Sequence, residues 1–231
     1  MKEKLFKFWR VLKKPLLVLV LIYAVMVIVT LPTHLKNRKA VETIVFIESQ
    51  RIEMRDVTGE NLPPEPDPNL VDATIEGIDA NNNWIRDDVE LEIFKRYPND
   101  AVIRSAMLQY AMALQLELTQ VFNTKTYISV LEQQGRADSC ISDKFPIDTL
   151  WFETPRDFFE WAAEDPKNEE VFNQEFRKSF NASNQARDLV HGLVFNTKDR
   201  EKKEEDNFNK FMSSHGSDPR EDCDIDPLLL K

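Results

Sequence analysis

The stretch PLLVLVLIYAVMVIVTLPTHL, residues 15–35, carries no Asp, Glu, Lys or Arg. As a helix it rises about 31 Å, the thickness of a bilayer's hydrocarbon core. A buried helix of a globular protein rarely stays apolar on every side over that length. The stretch therefore predicts a membrane anchor and a chain of mainly α class, with one N-terminal transmembrane helix followed by a helical extracytoplasmic domain. Lys2, Lys4, Lys7, Arg10, Lys13 and Lys14 precede the span, whereas only Lys36, Arg38 and Lys39 follow it closely. That excess places the N-terminus in the cytoplasm. Residues 27–32, VIVTLP, offer no small-residue cleavage pattern, and no lipobox-like Cys follows, so the segment reads as an uncleaved signal-anchor.

Outward from the anchor, the expected organisation is a basic cytoplasmic tail at 1–14, the span at 15–35 and a juxtamembrane stalk at 36–58. A Pro-rich linker at 59–78 and a helical domain at 79–231 complete it. The linker is expected because Pro63, Pro64, Pro66 and Pro68 forbid helix and favour an extended spacer. The net charge of −10 divides into +5 over residues 1–14 and −15 beyond the span. So acidic a surface repels phosphate backbones, and no nucleic-acid partner is expected. Five Gly against 12 Pro argue against Gly-rich phosphate-binding architectures. Cys140 and Cys223 both lie beyond the span, where one disulfide is the economical pairing in an oxidising compartment.

Helical periodicity dominates the rest. A helix from Asp87 to Arg96 closes at Tyr97-Pro98, and Asn99 or Asp100 caps a long one running to Val121. Another covers Thr126 to Ser139, and Thr154-Pro155 starts one holding Phe158, Phe159 and Trp161. Two helices are expected over 167–181 and 183–196, and Thr197 caps a charged last one ending near Ser214, with Gly216 beyond it. Phe172, Phe176 and Phe180 fall at helical spacing and are expected in the core.

The chemistry concentrates in GIDANNNWIRDDVE, residues 77–90. Asp79, Asn81, Asn83, Asp87 and Glu90 occupy positions 1, 3, 5, 9 and 12 of a twelve-residue calcium loop, and the Ile85 carbonyl stands at position 7. Over these twelve residues the chain resembles the EF-hand loop, and more closely the loops of dockerins and thrombospondin type 3 repeats. That resemblance implies one Ca²⁺ held by Asp79, Asn81, Asn83, Ile85, Asp87 and Glu90. The sequence departs at position 6, where Trp84 stands in place of the Gly that supplies a positive φ. An Asn/Asp-rich turn capping a helix would use the same residue types without an ion. The Arg86-Asp87-Asp88-Val89-Glu90 segment and the late Cys223-Asp224-Ile225-Asp226-Pro227 also resemble an uncharacterised family of membrane-anchored bacterial envelope proteins. This implies a single-pass protein of the bacterial inner membrane with its domain periplasmic or extracellular.

No G-x-S-x-G, P-loop or dinucleotide fingerprint is present, and His34, His191 and His215 lack metal-ligand spacing. The expected function is a structural or protein-interaction module held at the membrane through residues 15–35, with a protein partner. The alternative is an anchored hydrolase using carboxylates or the bound metal, a constellation that leaves no local signature.

Overall fold

The computed structural model describes residues 2–145, 155–213 and 222–230. Among these there is no strand. The chain divides into two compact units, residues 1–45 and 46–231.

The first helix, α1, runs from Lys2 to Ser49. Within it lies a window of mean hydropathy 2.7, long and apolar enough to cross a membrane. Leu16 to Leu21, Ile22, Ile28 and Val29 are each more than half exposed, as a lipid-facing helix requires.

In the second unit, α2 (Met54–Thr58) and α3 (Asp87–Arg96) flank a long irregular stretch. The helices α4 (Ala101–Gln120), α5 (Thr124–Lys144), α6 (Pro155–Glu164), α7 (Pro166–Val194) and α8 (Lys198–Phe211) follow, with a 3₁₀ turn at Pro227–Leu230. The starts follow from capping chemistry. Asp100 Oδ1 accepts from the Ile103 amide at 2.9 Å, and Thr197 Oγ1 accepts from Arg200. Asn123 caps α5 by accepting from Thr126 at 3.0 Å, two residues earlier than the periodicity predicts. Thr154 and Gly216 lie outside the described residues.

Helix α4 is the axis of the unit and packs against α3, α5, α7 and α8. Ala106, Met107, Leu108, Ala111, Met112, Leu114, Leu116 and Leu118 are all buried, so apolar groups encircle it. Val130, Ala137 and Ile141 of α5 and Ala186, Val190 and Val194 of α7 close the core around it.

Two expectations need correction. The two helices expected over 167–196 are one, because nothing at Ala182 interrupts the backbone and Ser183 is buried in mid-helix. The Phe stripe is not core. Phe159, Phe176 and Phe180 are 54%, 46% and 52% exposed; the rings of Phe172, Phe176 and Phe180 stack with centroids 6.0–6.1 Å apart, and Phe159 meets Phe172 at a tilt with centroids 5.2 Å apart. The buried residues of α7 all lie from Ser183 onward, so its first half carries the core stripe past the end of the core. The compact unit begins at Phe46. Ile47, Ile52 and Val57 are buried in the main core, so much of the expected stalk belongs to the compact unit.

The C-terminal segment is held onto this core by several bonds. Cys140 and Cys223 form a disulfide with Cα atoms 5.0 Å apart. Asp224, whose side chain is 1% exposed, accepts from Arg136 Nη2 at 2.9 Å and from the Ile52 amide at 3.0 Å. It also pairs with Arg51 at 3.3 Å. Gln109 donates to the Asp222 carbonyl and accepts from the Asp224 amide. The Cys-Asp-x-Asp-Pro motif is thus a clamp.

Candidate metal centre

Residues 77–90 form a curled loop entering α3. Asn82 and Trp84 take the left-handed conformation, with φ of 57° and 65°. Trp84 therefore adopts the backbone conformation that Gly would supply at position 6. Its ring packs edge-on against Phe46 with centroids 4.8 Å apart, a contact that offsets the strain of a bulky residue there. The Asp79 carboxylate closes the turn by accepting from the Asn83 amide at 3.1 Å and the Trp84 amide at 3.0 Å. Asp87 Oδ1 accepts from Ala80 at 2.9 Å, while the Asp87 amide donates to the Ile78 carbonyl.

The loop brings Asn81, Asn83 and Glu90 into direct contact. Both amide nitrogens donate to Glu90 Oε2, at 2.9 Å and 3.1 Å. Asn81 also donates to the Asn61 carbonyl, and Asn83 Oδ1 accepts from the Ile85 amide. Asp87 and Glu90 are buried, as is the Ile85 side chain. Three oxygens of this set, Asn81 Oδ1, Asp87 Oδ2 and Glu90 Oε1, are buried without a hydrogen-bond partner. Orphaned acceptors of this kind are uncommon in a folded protein and call for an explanation.

Electrostatics points the same way. Burial pushes the Glu90 carboxyl up to about 7, against the stabilising Asn81 and Asn83 amides, and the nearby Asp56 and Asp87 carboxylates add to the rise. Burial likewise raises Asp79 and Asp87 above the ordinary carboxylate range. Uncompensated negative charge has gathered at the loop, a cost that a bound cation would remove. Among the described residues, no three Asp, Glu, His or Cys side chains group as a metal site built from those types alone would need. An oxygen cage of Ca²⁺ type also draws on amide and main-chain carbonyl oxygens, which Asn81, Asn83 and Ile85 bear.

Spacing did not reveal the neighbours of this loop. Asp56, buried in α2, accepts from the Asn61 side-chain nitrogen, so residues 56–61 form the wall behind Asn81. Arg86, wholly buried, donates to both Asp88 oxygens and to the carbonyls of Leu193 and Val194. A charged residue between two expected ligands gives no local sign that it will be buried. No family model, curated protein or solved structure matches the chain.

Proposed function

We propose that this is a single-pass membrane-anchored envelope protein whose helical domain binds one Ca²⁺ through the 79–90 loop and serves as a structural or protein-interaction module. The observation that carries the ion is the trio of buried, unpartnered oxygens on Asn81, Asp87 and Glu90. In the bound state Asp79, Asn81, Asn83, the Ile85 carbonyl, Asp87 and Glu90 supply the oxygens. Two neutral amides among them make the affinity modest, in the range of about 10⁻⁴–10⁻³ M typical of extracellular modules. The exposed Phe159, Phe176 and Phe180 support the interaction role, since neighbouring aromatic rings left in solvent commonly mark a contact site. The excess of positive charge before the apolar helix supports a cytoplasmic N-terminus and a domain outside the cytoplasm.

Calorimetric titration of the full chain in detergent tests the ion. We expect one Ca²⁺ site, abolished in Asp79→Ala and Glu90→Ala, with Mg²⁺ a poor substitute because it demands a small octahedral shell. Absence of heat at millimolar Ca²⁺ would reduce the loop to a helix-capping turn. A reporter fused after residue 60 tests the topology, and activity of a cytoplasmic reporter there would reverse it.

A further inference from the structure

Arg86 stands between two ligand positions of the loop, yet its side chain serves the far end of another helix. Nη1 donates to the Val194 carbonyl and Nη2 to the Leu193 carbonyl, both at 3.0 Å. These are among the last carbonyls of α7, which have no partner within the helix, and a cation there is favoured by the helix dipole. Beside it lies a second wholly buried arginine, Arg200 of α8. Arg200 donates to the carbonyls of Val71, Thr74 and Ile75 at 2.9–3.0 Å and to the side chains of Asp72 and Asn196. Gly77, two residues before the first ligand, separates the two arginines. A Cβ there would sit 2.4 Å from Arg86 Cδ and 3.1 Å from Arg200 Nη2. Loop, α7 end and α8 start thus share one buried seam.

Resting on the calcium reading above, we infer that cation binding in the 79–90 loop is coupled through Arg86 and Arg200 to the docking of the α7–α8 corner. Here the Asn81 and Asn83 nitrogens face Glu90. An ion requires their oxygens inward instead, together with the Ile85 carbonyl. Ligation by the Ile85 carbonyl would fix the Ile85–Arg86 peptide plane, and the Arg86 side chain joins that plane to Leu193 and Val194. The two arrangements differ in which oxygens face the cage, which is the differential interaction coupling needs. Coupling is reciprocal, so loosening α8 must weaken the ion by the factor with which the ion tightens α8.

The test uses the full chain in detergent micelles, first in chelator and then with Ca²⁺, reading heat of binding and amide hydrogen exchange together. Exchange at residues 195–201 should slow about fivefold or more on Ca²⁺ addition. Arg200→Lys, which touches no ligand, should lower Ca²⁺ affinity by a similar factor. Heat of binding with unchanged exchange at this corner would overturn the coupling while leaving the ion site standing. Absence of heat would overturn the ion site and the coupling with it. The exchange measurement on the unsubstituted protein decides the matter even if Arg200→Lys fails to fold.

Discussion

Replacing Glu90 with Gln removes a charge while keeping the shape of the side chain and an oxygen for the Asn81 and Asn83 amides. The Glu90 carboxyl is fully buried and raised from 4.5 to about 7. Below pH 4.5 it is protonated in both folded and unfolded chains, so burying it carries no charge penalty. Between 4.5 and 7 the unfolded chain loses the proton first, and stability falls as pH rises. Above 7 the full penalty applies, about 3 kcal/mol for a rise of this size. Without a divalent ion, Glu90→Gln should therefore match the parent near pH 4 and exceed it by about 3 kcal/mol at pH 8. For a unit of this size that is a gain of roughly 6–12 °C in Tm. Adding Ca²⁺ should reverse the order, because the parent gains an ion that the variant holds poorly. Melting curves of both proteins from pH 4 to 8, in chelator and in Ca²⁺, measure this. Parallel curves across the whole pH range would refute the claim that Glu90 is charged and uncompensated.

Three further outcomes are expected. Reducing the Cys140–Cys223 bond, which spans 83 residues of sequence, should destabilise by about 4–5 kcal/mol in the chain-entropy model, read from urea midpoints with and without reductant. Asp224→Ala should cost about 3–5 kcal/mol, because it removes a buried carboxylate that accepts from both Arg136 and the Ile52 amide; a shift below 1 kcal/mol would deny the clamp. Gly77→Ala should lower Tm, since it meets both a φ of 69° and the Arg86 side chain, and replacing Gly135, which has open space around it, is the control.

Much of the helical unit was legible because its signals are local. Asp100 caps α4 where an acceptor side chain precedes an apolar run, Thr197 caps the charged α8 by the same side-chain chemistry, and Tyr97-Pro98 ends α3 as a proline should. The apolar run at 15–35 could be read by composition alone. The misplaced features depend on what meets a helix face rather than on the face itself. Phe172, Phe176 and Phe180 keep the spacing of a core stripe, and periodicity does not reveal whether neighbouring elements reach far enough to cover it. At the loop, three of the residues that the spacing singled out, Asn81, Asn83 and Glu90, meet in the fold. Spacing could not foresee Asn81 and Asn83 turning their nitrogens to Glu90, or Phe46 stabilising the left-handed Trp84. Buried Arg86 and Arg200 were invisible for the same reason, since their carbonyl partners lie more than 100 residues away in sequence.

The clamp at Cys223 and Asp224 also imposes an order in time. The Ile52 amide waits for a carboxylate 172 residues further along, and Gln109 for a carbonyl 113 residues on. At ribosomal speeds of about 5–20 residues per second, Asp224 is made roughly 10–30 s after Ile52. In the later part of that interval, once α5 has been made, α4 and α5 can already pair while the surface meant for residues 222–225 stays open. The last bonds of this clamp are thus withheld until residues 222–225 have been made. A ribosome stalled before Asp222 leaves a helical body with an unsealed flank, a form open to proteolysis that a chain carrying residues 222–225 should escape.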